Sequence, residues 1–215
     1  MMYCKHKLPL FKKYVIVVPI LVLIILKILN LFFIDIILSM IELKTKHLIL
    51  RQWKEEDLRF YAQLTSNKEV MKYFPKTLTL EQSNKAARKF MNLLVKNAWG
   101  FWAVEEISSA KFIGYAGLHK PQTQFSFSPC IEIAWRMEDK YWNRGYVLES
   151  GQEILHYALE VLSLEEVVYF SSIKNLKGEK IARALGMKKA DKNFYHPFVD
   201  QQHQLSEHYL YNKKK

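Results

Sequence analysis

Cysteine is nearly absent. Two cysteines in 215 residues, Cys4 and Cys130, cannot build a disulfide framework, and neither has a partner at zinc-like spacing. A reducing compartment is the default. None of the seven glycines forms Gly-x-Gly-x-x-Gly after a first strand, and no Gly-Lys-Ser/Thr occurs, so a dinucleotide fold and a nucleotide-triphosphate loop are excluded. His-Glu-x-x-His and Gly-x-Ser-x-Gly are missing too. There is no repeat and no disorder-prone composition: 50% hydrophobic and 25% charged residues are ordinary for one globular domain with an appendage.

What is present is positive charge, +11 overall, with Lys and Arg spread along the chain rather than gathered in one block. A basic stripe for nucleic acid is not formed, and no nucleic-acid partner is expected; a polyanionic small molecule accounts for the excess equally well.

The apolar run Tyr14 to Leu26, "YVIVVPILVLIIL", covers about 20 Å as a helix against roughly 30 Å of bilayer core. To span, it must continue through Lys27 and Asn30, toward residue 34. A lysine at the helix centre costs on the order of 3 kcal/mol on insertion scales, which the neighbouring Ile, Leu and Phe offset. Lys5, Lys7, Lys12 and Lys13 would hold the N-terminus inside and send the rest outside. No small-residue cleavage site follows. Residues 1–39 are therefore read as a hydrophobic extension: a candidate membrane segment, or sequence ahead of a functional start at Met40. Five lysines and one aspartate fall in that stretch, which leaves +7 on residues 40–215.

From Met40 the text turns soluble. A strand is expected over His47 to Trp53 and a helix over Lys54 to Leu64, with Glu55, Glu56 and Asp57 suiting its first turn. A second helix covers Leu80 to Val95. Trp99 to Glu105 and Lys111 to His119 read as a hairpin around Ser108 and Ser109. Ile131 to Met137 alternates, with Ile131, Ile133, Trp135 and Met137 on one face and Glu132, Ala134 and Arg136 on the other. A helix from about Gly145 to Leu162, a strand from Val167 to Ile173, a helix capped by Asn175 and ended by Gly186, and a last strand Glu207 to Asn212 complete a mixed α/β sheet with helices on both faces. Between the alternating strand and the long helix stands "YWNRGYVLESG", residues 141–151. A lone glycine at such a corner frees backbone N–H groups at a helix N-terminus, where an anion can be held.

The chain carries "LILRQWKEEDL", "VMKYFP", "FIGYAGL", "CIEIAWRM" followed by "YWNRGYVLES", "NLKGEKIARALGM", and "FYHP" then "HYLY", in that order from Met40 to the C-terminus. That order resembles the GNAT superfamily of acyl-CoA-dependent N-acyltransferases, most closely its RimJ/RimL-like branch, the ribosomal-protein-alanine acetyltransferase type. The resemblance implies an α/β GNAT fold: a mixed, mostly antiparallel sheet splayed between the family's fourth and fifth strands, here Ile131 to Met137 and Val167 to Ile173. It implies acetyl-CoA as co-substrate, no metal, and transfer of the acetyl group to a primary amine, a protein N-terminus or a small amine, by direct attack.

By the same resemblance, the pyrophosphate loop maps onto Trp142, Asn143, Arg144, Gly145, Tyr146 and Val147. Trp142 and Val147 depart from the family's Arg/Gln and Gly/Ala. Trp135, Met137 and Asn175 fall beside the pantetheine arm. Glu132 matches the strand-four glutamate that serves as general base; the alternative from the residues alone is a salt bridge to Arg136. Tyr73 and Phe74 match the acceptor loop and His196 the tail. Gly178 and Ala182 stand where relatives carry a serine or a tyrosine, so no general acid is assigned. The alternatives are a catalytically degenerate acyl-CoA-binding module and a membrane-anchored interaction protein. The enzyme reading implies a cytoplasmic monomer or homodimer, and membrane association follows only if residues 14–34 are inserted.

Overall fold

The computed structural model describes residues 42–215. The apolar run and the expectation for residues 1–39 lie outside them. Among the described residues no helix is long and apolar enough to cross a membrane.

In chain order the elements are β1 (Leu43–Lys44), β2 (Leu48–Arg51), α1 (Asp57–Ser66), α2 (Leu80–Asn97), β3 (Phe101–Glu106), β4 (Lys111–His119) and β5 (Glu132–Met137). A 3-10 turn (Asp139–Tyr141) leads to α3 (Tyr146–His156), which runs into a π-helical turn (Tyr157–Val161). Then follow β6 (Glu166–Ser172), α4 (Leu176–Ala184), β7 (Lys188–Lys189), β8 (Phe194–Tyr195) and β9 (Glu207–Lys214). The sheet runs β1-β2-β3-β4-β5-β6-β9-β7, with β8 also on β9.

Every pairing is antiparallel except one. β5 and β6 lie parallel, and a single Cα pair, Glu132 with Val168, is in register between them. The strands meet there and part beyond it, so the mixed, opened sheet expected from the sequence is present.

The two faces follow from period-two alternation. Phe101 on β3 and Tyr115 on β4 meet Trp53, Tyr61 and Phe90 under α1 and α2, with Phe101 and Phe90 centroids 4.7 Å apart. Trp102, one residue on, turns to the opposite face and stands edge-on to Tyr157 at 5.7 Å, behind α3. α1 is fastened by a buried ion cluster: Arg51 on β2 reaches Asp57 at 2.8 Å and Glu105 on β3 at 2.6 Å. Asp57 also accepts the Lys54 N–H at 2.7 Å and so closes the first turn. α2 starts on a Thr79–Gln82 capping box and stops at Ala98 in left-handed conformation. β1, β7 and β8 were not expected; each is two residues long, too short for a period to show.

Candidate active site

Gly145 caps α3 at φ 81, in the left-handed region that a side chain disfavours, and a Cβ built on it meets nothing within 4 Å. The backbone at this corner therefore faces open space, and no side chain caps the first helical turn, whose leading N–H groups have no intrahelical acceptor. Asn143, at φ 62, is left-handed as well. The helix end is held from the other side. The Tyr146 hydroxyl donates to Glu106 at 2.7 Å, and Glu149 accepts the His47 N–H at 2.7 Å.

A cleft of about 290 Å³ runs from this corner over β5. One wall is the loop itself, with Trp142, Asn143, Gly145, Tyr146 and Val147. The floor is β5, through Trp135, Arg136 and Met137. The opposite wall is the start of α4, with Asn175, Lys177, Gly178 and Lys180. The fourth side is the loop between α1 and α2, with Tyr73 and Phe74. Lys177 lies over the Trp142 ring at 4.8 Å, and the Trp142 indole donates to the Met137 carbonyl at 3.0 Å. Two lysines beside an uncapped helix N-terminus suit a polyphosphate.

Ten of the thirteen site residues expected from the sequence thus meet in one cleft, and Glu132, Arg144 and His196 are not among its lining residues. Arg144 turns away toward Glu106 at 3.6 Å and lies 5.2 Å over the Tyr141 ring. His196 packs in an aromatic group with Phe125 and His208, its ring 5.1 Å from that of His208.

Glu132 stands at the closed end of the seam, at the rung to Val168. Its expected alternative partner is corrected by the geometry. Glu132 does not reach Arg136; its Oε2 lies 3.5 Å from His119 Nδ1 on β4, with the Glu132 side chain 15% exposed. The cross-strand pair His119 and Glu132 share a register position, whereas Arg136 lies two steps further along the same face. Burial raises the Glu132 carboxyl above its ordinary range, opposed by the hydrogen bond and charge of His119.

The Asn175 side chain is spent on structure. Its Oδ1 accepts the Gly178 N–H at 3.0 Å and its Nδ2 donates to Ser171 at 3.1 Å. A Cβ on Gly178 would lie 2.2 Å from the Tyr169 hydroxyl, so the glycine there is enforced by a tyrosine reaching across from β6. Tyr169 is in turn stacked on Trp135 at 4.5 Å. Lys177, Lys180, His119 and Tyr169 were not singled out in the sequence, and Arg136 was named there only as a partner for Glu132. Only alternation on β5 hinted at Arg136; for the others nothing local distinguishes them from surface lysines or core aromatics.

An opened mixed sheet with a glycine-capped helix beside the opening has clear relatives. The chain is 27% identical over 146 residues to the uncharacterized N-acetyltransferase YnaD of Bacillus subtilis (strain 168), covering 67% of this chain and 81% of that one. The fold matches an acetyltransferase (GNAT family) from Bacillus anthracis at TM-score 0.67 and 22% identity, over 81% of this chain and 98% of that one. It also matches the ribosomal-protein-S5-alanine acetyltransferase from Vibrio fischeri at TM-score 0.65 and 17% identity, over 81% and 96%. The family described as the acetyltransferase (GNAT) domain matches residues 47–188. The chain belongs to this family, and it is an acyltransferase. Acetyl-CoA is the co-substrate of the fold, and the open cradle at Gly145 with Lys177 and Lys180 beside it fits the charged end of that molecule.

Proposed function

We propose that residues 40–215 form an N-acetyltransferase acting on a primary amine, either a protein N-terminal α-amine or a small amine. The observation that carries the reading is Gly145, left-handed and open-faced, at the mouth of a cleft floored by β5, the strand that parts from β6. The fold shared with the Vibrio fischeri alanine acetyltransferase supports the RimJ/RimL-like branch and a protein N-terminus as one acceptor.

Bound acetyl-CoA supplies an activated acetyl thioester. The N–H groups after Gly145 bind the pyrophosphate, and Lys177 and Lys180 neutralise it. Trp135, Met137 and Asn175 border the pantetheine arm. Tyr73 and Phe74 border the acceptor. Glu132 takes the proton from the amine through a water, because its carboxylate sits at the closed end of the seam rather than in the cleft wall. Use of acetyl-CoA fits a cytoplasmic enzyme.

A catalytically silent acyl-CoA-binding module is the second reading, favoured by the absence of a hydroxyl at Gly178 and Ala182. Thiol release from acetyl-CoA in the presence of an amine panel separates the two. On the first reading CoA binds far more tightly than pantetheine, and Gly145→Val abolishes that difference. Equal affinities for CoA and pantetheine in the parent would remove the pyrophosphate role from this loop.

A further inference from the structure

Arg136 has a charge and no counter-charge. Its guanidinium carbon lies 3.9 Å over the Phe74 ring and 5.5 Å from the Tyr115 ring. Among the described residues it forms no ion pair, and its Nε is the buried side-chain polar atom that finds no hydrogen-bond partner. A buried N–H of a charged group left unpaired is costly and rare, and calls for a partner such as water, an ion or a ligand. The side chain lines the cleft.

The carboxylates on this side of the cleft are already engaged. Glu69 and Lys72, on the loop that carries Phe74, lie 3.7 Å apart. Glu132 looks to His119. Arg136 therefore leaves an uncompensated positive charge on the α1/α2 face of β5. Trp135 and Met137, its neighbours in sequence, point to the opposite face, where α3 and the phosphate-binding corner lie. That separation assigns Arg136 to the acceptor side rather than to the co-substrate side. Glu132 shares its face, about 13 Å away between Cα atoms at the rise of an extended strand.

We infer that Arg136 is an anion receptor for the acceptor, and that the acceptor is a small amine carrying a carboxylate. The carboxylate pairs with the guanidinium, reaching Nε as Phe74 gives way, while the amine extends along β5 toward Glu132. Guanidinium and carboxylate match as a planar two-bond pair, which a lysine at this position would not reproduce. The inference rests on the acyl-transfer reading above and names its substrate class.

The test uses full-length protein and matched amines: β-alanine against β-alaninamide, and 4-aminobutyrate against 4-aminobutanamide. Thiol release gives kcat/KM for each. The acid-to-amide ratio is expected to fall at least tenfold in Arg136→Gln, mainly through KM, and Arg136→Lys is expected to restore part of it. Comparing ratios cancels the difference in amine basicity within each pair. An unchanged ratio overturns the inference and leaves Arg136 as packing beneath Phe74. A second measurement titrates 4-hydroxybutyrate, a carboxylate with no amine, into the CoA-saturated protein by calorimetry. Binding in the parent that is lost in Arg136→Gln supports the receptor even if no amine releases thiol, in which case it is the acyl-transfer reading that fails. Thiol release at unchanged ratios without 4-hydroxybutyrate binding keeps the transferase and removes the receptor. Absence of both removes both.

Discussion

Glu132 and His119 face each other across the β4/β5 pairing, and this pair decides how the proposed chemistry responds to pH. An attacking amine must be neutral. At pH 7 an α-amine with pKa near 8 needs about 1.4 kcal/mol to lose its proton, and a lysine amine near 10.4 about 4.6 kcal/mol. A carboxylate whose burial raises its pKa is the better base for that task, and its activity is lost as pH falls through a value above the ordinary carboxylate range. Glu132→Gln keeps the shape and removes the base. Turnover should fall roughly 10²-fold at neutral pH, with CoA affinity unchanged and partial recovery as the amine deprotonates unaided at higher pH. A variant as active as the parent from pH 6 to 9 would make Glu132 a structural partner of His119. The position of Glu132 on a central strand was readable from the alternation of Ile131 to Met137, but its partner was not. Alternation orders residues within a strand, and the cross-strand neighbour depends on a register that no local pattern encodes.

At the scale of elements, α4 shows a helix start fitted around a neighbour's side chain. Asn175 was legible as a cap because its type and its place before an amphipathic stretch announce it, whereas the reason for Gly178 lies on β6. The Tyr169 hydroxyl occupies the space of a residue-178 side chain, and the Asn175 amide is 2.7 Å from the same point. Gly178→Ala should therefore destabilise by about 2 kcal/mol through overpacking, although alanine is the better helix former. In a Tyr169→Phe background much of that cost should vanish, since the obstructing oxygen is gone. Denaturant midpoints of the four proteins in this cycle measure the coupling, and additive effects would contradict the contact. β4 was expected at its observed bounds, and β3 and α2 within two residues at either end, because each has strong periodicity or a cap. The start of α1 was misjudged by three residues because Glu55 and Glu56 look like a first turn, yet Asp57 is drawn inward by Arg51.

At the scale of the whole molecule, the β6–β9 half carries a built-in acid sensitivity. His208 on β9 is pushed down to about 4 from 6.5, first by burial and then by the nearby His196, while its bond to the Ser206 carbonyl opposes the shift. The folded state thus binds the proton later than the unfolded one. Stability is full above about pH 6.5 and is lost as pH falls through that value toward 4, by up to about 3 kcal/mol. Urea unfolding at pH 7.5 and 4.5 should show that loss, and His208→Phe should show much less of it. Equal losses in both would place the sensitivity elsewhere. Of the candidate site as a whole, the stretch Trp142 to Val147 was picked out by its resemblance to the family's loop, since a lone glycine at a strand-to-helix corner by itself marks only a turn. The basic wall and Arg136 were not, because their meaning comes from strands that part in space.

The single rung between β5 and β6 also bears on how the chain reaches its shape. Strands β1 to β5 pair in the order in which they occur; most of these pairings close short connections, and β2 with β3 closes a longer one across α1 and α2 but returns four registered pairs. The seam joins Glu132 to Val168 with all of α3 between them, and returns a single registered pair for that closure. Closing it late is the economical order of events, since long-range pairings must meet their loop entropy before they are rewarded. The Val168 amide, bonded to the Ile131 carbonyl at 2.9 Å, is then the place where hydrogen exchange reads how firmly the two halves of the sheet are joined. The candidate cleft opens beside this weakest seam, its floor on β5 and its far wall on the α4 start that follows β6, so a ligand lying in it touches both halves at once.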